Sequence, residues 1–132
     1  MSAEKVIKNL RLNNSQKILI VNGPEEFKAM LKGITYDTEH SEQNEGNYDF
    51  VQVFASKQVE LEELLKETQH KGKYDCLFWA CYPKKSGGIK SDIKRETVWG
   101  AVEPIGLSTV TAVSIDGTWS ALRVRPVEVV GK

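Results

Sequence analysis

Lysines, glycines and serines concentrate in one short stretch that leads into a predicted helix. The stretch reads PKKSGGIKSD and is followed by Lys94 and Arg95. Lysine ammonium groups, flexible glycine backbone and the partial positive charge of a helix N-terminus together suit a phosphate or a carboxylate. The same composition is typical of a solvated surface loop, and the P-loop pattern G-x-x-x-x-G-K-[ST] is missing. The predicted ligand-binding residues of this stretch are Lys84, Lys85, Ser86, Gly87, Gly88, Lys90, Ser91 and Arg95.

Two arginines near the C-terminus form the second candidate. Arg123 and Arg125 share one face of a predicted strand with Trp119. An indole beside two guanidinium groups can stack on a planar ring and hold an anion. The alternative is that Trp119 packs in the core while the arginine side chains reach water. We therefore add Arg123 and Arg125 to the predicted ligand-binding residues, and both interpretations stay open.

The other reactive residue types form no recognisable site. Cys76 and Cys81 fall on opposite faces of one predicted strand, which favours reduced thiols and a cytoplasmic chain. No histidine or acid stands at a spacing that would activate Cys81, and His40 and His70 are isolated. The sequence therefore predicts no catalytic residue and no metal site. It leaves open which cofactor, if any, is bound and whether any reaction is catalysed.

Apolar runs and one-sided stripes predict an alternating α/β chain that positions these candidates. The predicted strands are at 17–21, 34–38, 48–55, 75–82, 107–115 and 118–127, with helices starting near residues 24, 57 and 92. Strands that alternate with one-faced helices pair in parallel, so we expect a three-layer, Rossmann-like α/β sandwich with a mostly parallel sheet. The absence of linkers and repeats predicts a single α/β domain over 1–132, with a polar N-terminal arm at 1–15.

The order of these strands also predicts where a ligand binds. In open α/β sheets, ligands bind outside the carboxyl ends of the strands, and the lysine-rich stretch follows the strand at 75–82. Asp37 and Glu39 lie at the end of the strand at 34–38, where related folds hold a ribose hydroxyl, but they also belong to an acidic, solvated stretch. Asp116-Gly117 predicts a two-residue turn in a C-terminal antiparallel β-hairpin, because both turn positions favour a positive φ.

Two family resemblances follow from these elements. The strands KILIV, YDFVQVF and LFWACYP, with the hairpin over 107–126, resemble the fold of S-adenosylmethionine-dependent methyltransferases. Those enzymes have a glycine-rich GxGxG turn after the first strand, where this chain has Asn22-Gly23-Pro24. The resemblance implies a reduced, degenerate methyltransferase relative.

The narrower resemblance is to a family of small bacterial proteins classed as a domain of unknown function. It is carried by Tyr82-Pro83-Lys84, by the helix start from Asp92 to Arg95 with Trp99, and by the pattern D-x-TW-x-ALR-x-RP at 116–126. This resemblance implies bacterial kinship and brings no activity to the chain.

Charge is balanced in total and polarised along the chain. The 132 residues contain 18 Lys plus Arg and 18 Asp plus Glu, which does not favour nucleic acid or a membrane surface as a partner. Residues 25–67 carry four Lys and eleven acids, a net charge of −7, whereas residues 68–95 carry a net charge of +5. Such opposite blocks allow a homo-oligomer. We expect a binding module for a small anionic ligand, with a degenerate methyltransferase relative and a protein–protein interaction module as the alternatives.

Overall fold

The computed structural model describes residues 3–39 and 46–130. This part of the chain contains four α-helices and five strands, and an α-helix precedes each of the first four strands. The helices are α1 (Ala3–Leu10), α2 (Glu25–Ala29), α3 (Gln58–Thr68) and α4 (Arg95–Val102). The strands are β1 (Ile18–Val21), β2 (Tyr48–Phe54), β3 (Gly72–Pro83), β4 (Leu107–Ser114) and β5 (Trp119–Pro126). No helix within the described ranges is long and apolar enough to cross a membrane.

The five strands form one mixed sheet in the order β1-β2-β3-β5-β4. β1, β2 and β3 pair in parallel, and β5 pairs antiparallel with both β3 and β4. The prediction of a mostly parallel sheet is therefore wrong. Because β5 lies between β3 and β4 and is antiparallel to both, two of the four strand pairings are antiparallel. β1 to β4 all point the same way, and β5 points against them.

Helices cover both faces of this sheet, which gives three layers. On one face, α1 and α2 pack on a core that includes Phe54, Trp79 and Trp119. On the other face, α3 and α4 pack on a core that includes Phe78 and Leu122. The apolar runs of β2 and β3 supply side chains to both cores, as expected for strands that are buried on both faces.

The N-terminus is not a polar arm over 3–10, as the sequence predicts, but a packed helix. Val6 and Leu10 of α1 are completely buried in the first core. The indole Nε1 of Trp79 donates a hydrogen bond to the Leu10 carbonyl at 3.2 Å, which anchors the end of α1 over β3. The prediction is wrong because Val6 and Leu10 lie one helical turn apart on the same face of α1. This apolar face packs on the core, although most of the surrounding residues are charged or polar.

The strand predicted at 34–38 is reduced to a single bridge beside β1. The Asp37 N–H donates to the Ile18 carbonyl at 2.8 Å, and the Ile20 N–H donates to the Asp37 carbonyl at 2.9 Å. The Asp37 carboxylate accepts a hydrogen bond from the Tyr48 hydroxyl at 2.5 Å. Residues 40–45 of the acidic stretch lie outside the described residues. Asp37 thus closes the edge of β1 that β2 leaves open.

The connection between β4 and β5 also differs from its prediction. Four residues, 115–118, join the strands in place of the predicted two. Neither Asp116 nor Gly117 has a positive φ. The Asp116 carboxylate instead accepts hydrogen bonds from the N–H groups of Thr118 and Trp119, both at 2.8 Å. An aspartate side chain that bonds the backbone two residues on is a turn-forming contact in its own right.

Candidate functional site

The carboxyl ends of β1, β2, β3 and β4 lie along one edge of the sheet, which we call the carboxyl edge. The lysine-rich stretch 84–94 follows β3 directly and begins at this edge, where the sequence predicts it. The chain after β1 and the chain after β2 begin at the same edge. Each of these connections could therefore contribute to a ligand site there.

A basic groove of about 350 Å³ opens at the carboxyl edge between β3, β5 and the start of α4. Four cationic side chains and one acid border it. Burial raises the pKa of the Tyr82 hydroxyl, whereas the nearby Arg95 guanidinium lowers it. The groove thus brings a phenol and a cluster of positive charge together. It is lined by Tyr82, Pro83, Lys84, Lys85, Ile93, Lys94, Arg95, Glu96 and Ser120.

Lys84 anchors the stretch to the β4–β5 hairpin. Its ammonium donates hydrogen bonds to the Ser114 hydroxyl at 2.5 Å and to the Asp116 carbonyl at 2.6 Å. Its backbone N–H donates to the Thr118 carbonyl at 2.8 Å. Lys84 adds positive charge to the groove, but two of its three ammonium protons already have acceptors. The residues left to contact a ligand directly are Lys85, Lys94 and Arg95, which are exposed.

Gly87 has a packing role that the sequence does not reveal. A Cβ atom at this position would lie 2.8 Å from both the Cα and the carbonyl oxygen of Thr118. The Gly87 N–H donates a hydrogen bond to the Lys84 carbonyl at 3.0 Å, within the turn itself. Gly88 follows with a φ of 83°, a left-handed conformation that favours glycine. Both glycines shape the turn that presents the lysines.

The end of the stretch leads into α4 and contacts the start of α3. α4 begins at Arg95, three residues after the predicted start at Asp92. The Asp92 carboxylate instead accepts a hydrogen bond from the Gln58 N–H at 2.7 Å, at the start of α3. The Ser91 hydroxyl accepts one from the Ile93 N–H at 3.1 Å. The remaining predicted residues of this stretch are exposed and do not border the groove: Ser86 and Lys90.

The structure separates Arg123 and Arg125 from this groove. They share a face with Trp119, as predicted, but β5 runs against β3, so its later residues lie toward the opposite edge of the sheet. Arg123 is four residues from Trp119 along β5, which corresponds to about 13 Å. Trp119 is buried in the core, with its ring 5.2 Å from that of Phe54. The structure therefore does not bring Arg123 and Arg125 together with the lysine-rich stretch, and their use in ligand binding stays a prediction.

The thiols and acids add no reactive centre to the described part of the chain. Cys81 is completely buried and accepts a hydrogen bond from the Gln52 amide at 3.2 Å, and burial raises its pKa. Burial also raises the pKa of Cys76, to about 11. Thiols with raised pKa values are poor nucleophiles. Within residues 3–39 and 46–130, no group of three or more His, Cys, Asp or Glu side chains could hold a metal ion.

The turn after β1 is tightly packed and leads to acidic side chains. Asn22 has a left-handed φ of 60°. A Cβ atom on Gly23 would lie 3.1 Å from the Ile20 side chain, so the small size of Gly23 serves internal packing. Pro24 has no N–H group to offer, and α2 starts with Glu25 and Glu26. This end of the carboxyl edge therefore differs in charge from the basic groove.

No protein-family model and no curated protein matches this chain. The resemblance to a domain of unknown function consequently stays a prediction.

Solved structures do match the chain over nearly its whole length. A protein assigned as a type 11 methyltransferase from Sulfolobus solfataricus has a TM-score of 0.58 and 11% identity, with 98% of this chain and 82% of that chain covered. A SAM-dependent methyltransferase from Aquifex aeolicus has a TM-score of 0.57 and 16% identity, covering 92% and 88%. One from Archaeoglobus fulgidus has a TM-score of 0.51 and 14% identity, covering 94% and 95%. The chain therefore has the Rossmann-like α/β fold of SAM-dependent methyltransferases.

Proposed function

We propose that this chain is a degenerate relative of S-adenosylmethionine-dependent methyltransferases that binds a small anionic ligand in the basic groove. The fold likeness supports the first part of this proposal. The single observation that carries the second part is the convergence of four cationic side chains on one groove that contains one acid, Glu96. In this proposal the ligand site lies at the β3 end of the carboxyl edge, whereas the β1 end has lost its cofactor chemistry.

The turn after β1 argues against methyl transfer. S-adenosylmethionine carries a carboxylate and needs backbone that it can approach closely, which is what a glycine-rich turn provides. Here the turn has a single glycine, Gly23, on which a Cβ atom would lie 3.1 Å from the Ile20 side chain, and Pro24 offers no N–H group. The side chains of Glu25 and Glu26 are exposed at the start of α2 and would repel the carboxylate of the cofactor.

The groove has the chemistry that a phosphate or carboxylate requires. Lys85, Lys94 and Arg95 are exposed, and within the described ranges no ion pair involves them. The hydroxyls of Tyr82 and Ser120, which also line the groove, offer neutral donors. A guanidinium can grip two oxygens of one anion, whereas an ammonium acts as a point charge. We assign Arg95 the orienting contact, and Lys85 and Lys94 the electrostatic attraction.

Thermal unfolding with added anions tests this proposal. If inorganic phosphate binds with a Kd of about 1 mM, about 10 mM phosphate stabilises the fold by about 1.4 kcal/mol and raises the Tm by about 4–6 °C. Sodium chloride at matched ionic strength should give a much smaller shift. S-adenosylmethionine at the same concentration should give none.

Charge reversal locates the effect. Arg95→Glu and Lys85→Glu should each give a smaller phosphate-dependent shift than the parent, because the contribution of the basic groove is lost. Arg95→Glu is expected to fold normally, because a carboxylate at the first position of α4 complements the helix dipole. Lys66→Glu, on the exposed face of α3, is the matched control and should keep the full shift. Equal phosphate shifts in all variants would contradict the groove, and a large shift with S-adenosylmethionine would contradict the loss of cofactor chemistry.

Two further expectations stay predictions. The opposite charge blocks of 25–67 and 68–95 allow salt-sensitive association of two copies, and nothing in the fold requires it. Cytoplasmic localisation rests on the two free thiols, Cys76 and Cys81.

A further inference from the structure

Three arginines and one acid, Arg11, Arg123, Arg125 and Asp75, lie away from the basic groove, toward the amino end of β3 and the carboxyl end of β5. Arg125 forms a bidentate ion pair with Asp75, with N–O distances of 2.6 and 2.9 Å. Both carboxylate oxygens of Asp75 are therefore occupied by Arg125. Arg123 and Arg11 remain, and the described residues provide neither of them with an ion-pair partner.

Arg11 is brought to Arg123 by the packing of α1. Arg123 pairs with Trp79 across the β3–β5 register, and both side chains lie on the face that α1 covers. Trp79 donates its indole hydrogen bond to the Leu10 carbonyl, so Arg11 follows directly beside this pair. Burial lowers the pKa of Arg123, and repulsion from the Arg11 and Arg125 guanidinium groups lowers it further. Arg123 is thus repelled by Arg11 and by Arg125, and the Asp75 carboxylate offsets part of this repulsion.

Arg123 also has a donor that lacks an acceptor. Its Nε atom is buried, and no atom of the described residues accepts a hydrogen bond from it. A buried donor without an acceptor costs free energy, and nearly all such groups in native proteins find one. This donor belongs to a cation that faces two further cations, so an anion would satisfy the hydrogen bond and the charge together.

Arg11 has a backbone conformation that a glycine would adopt more easily. Its φ is 64°, in the left-handed region, where it ends α1. Glycine is the usual residue at this position after a helix, because a side chain there is strained. The chain therefore keeps a large cation in a strained conformation, beside another cation that it repels. Strained residues of this kind cluster at binding sites.

We propose that Arg11 and Arg123 form a second anion site, which takes a single phosphate group of a small ligand. Two guanidinium groups can each donate two hydrogen bonds to one tetrahedral phosphate, and the Nε–H of Arg123 is one of these donors. The site does not depend on the basic groove, because Arg123 pairs with Trp79 in the middle of the sheet, about 13 Å along β5 from Trp119 at the carboxyl edge. Because Asp75 holds the Arg125 guanidinium, Arg125 does not contact the phosphate directly, and only its positive charge acts on the site.

An NMR titration with inorganic phosphate tests this site directly. The ¹⁵N–¹H signal of the Arg123 Nε–H group should shift in a saturable manner, together with the backbone amides of 10–12 and 122–124. The Arg95→Glu variant of the basic groove should leave these shifts unchanged. Titration with sodium chloride at matched ionic strength should not produce them. A linear shift that chloride reproduces would overturn the proposal.

The variant Arg11→Gly separates binding from folding. Without phosphate its Tm should equal or exceed that of the parent, because glycine relieves the left-handed φ and the repulsion of Arg123. With phosphate, the saturable shift of the Arg123 signal should weaken at least about tenfold in apparent affinity, since one of two chelating guanidiniums is lost. Lys8→Gln, on the exposed side of α1, is the control and should bind as the parent does. A stable Arg11→Gly variant with unchanged phosphate affinity would overturn the site.

Discussion

The two ends of the carboxyl edge have the same backbone framework and opposite chemistry. At the β1 end, Asn22-Gly23-Pro24 leads into Glu25 and Glu26, and the turn is packed against its own strand. At the β3 end, the chain after Pro83 carries Lys84 and Lys85, and a groove opens beside it. The comparison teaches that one fold can present opposite charge at the two ends of the same edge, since the connections between strands set the local chemistry.

A glycine makes each of these two connections possible, but the neighbours differ in stiffness. A Cβ on Gly23 would meet the Ile20 side chain at 3.1 Å, and that side chain can adjust. A Cβ on Gly87 would meet the backbone of Thr118 at 2.8 Å, and that backbone is held in the β4–β5 connection. The basic groove therefore depends on a rigid contact, whereas the β1 turn depends on a softer one.

The largest expected effect is that of Gly87→Ala. Because the added methyl group would overlap backbone atoms of Thr118, we expect a loss of about 2–3 kcal/mol in the free energy of unfolding. Gly23→Ala should cost about 1 kcal/mol, since Ile20 can shift. Urea unfolding followed by tryptophan fluorescence measures both variants. Gly117→Ala, whose Cβ would meet nothing within 4 Å, is the control. The comparison fails if Gly23→Ala proves to be the more destabilised of the two.

Lys84→Met has the next largest expected effect. The methionine keeps the apolar part of the side chain and removes the ammonium that joins Ser114 to the Asp116 carbonyl. We expect a loss of about 1–2 kcal/mol, because hydrogen bonds from a charged group are lost in a half-buried place. Lys85→Met should change stability by less than about 0.5 kcal/mol, since its side chain is exposed. Equal losses in the two variants would show that Lys84 is not an anchor.

Most of the strands could be predicted because each is a continuous apolar run. KILIV, YDFVQVFA and DCLFWACY all overlap strands of the sheet, because short apolar runs rich in β-branched or aromatic residues are typical of strands that are buried on both faces. α1 could have been found from the spacing of Val6 and Leu10 within its charged surroundings. The short strand at 34–38 could not be rejected from the sequence, because a single bridge to Ile18 and Ile20 depends on how the chain returns to β1.

The residue types that make up the candidate site could be predicted from the sequence, but the hydrogen bonds that hold them in place could not. The density of lysine and glycine marks the stretch after β3, and its place at the carboxyl edge follows from parallel pairing. The bonds from Lys84 to residues thirty positions later have no local signal. For Arg123, the alternation of residues along β5 predicts which face of the sheet its side chain lies on. Its distance from the carboxyl edge depends on the direction of β5. Because the second strand of a hairpin runs back from the carboxyl edge, the hairpin in the sequence already indicates that Arg123 lies away from this edge.

The smallest expected effect concerns acid unfolding at the edge opposite the groove, where positive charge is partly neutralised by an ion pair. The hydrogen bonds from Arg125 hold the pKa of Asp75 below its ordinary value of 3.8. A carboxyl group whose pKa is lower in the folded state stabilises the fold above its unfolded pKa and loses this contribution as the pH falls through its folded pKa. Below about pH 4, the parent should therefore lose the stability that ionised Asp75 contributes, a loss that Asp75→Asn cannot show because it has no carboxyl group at this position.

Urea midpoints measured between pH 7 and pH 3 check this expectation. The midpoint of Asp75→Asn should lie below that of the parent at pH 7, and the gap should narrow as the pH falls. Asparagine tolerates the left-handed φ of 56° at this position, so the backbone is retained. Arg125→Gln should follow the same pH profile, because it removes the partner that lowers the pKa of Asp75. A gap that stays constant with pH would mean that the ionisation of Asp75 contributes nothing measurable to the stability difference.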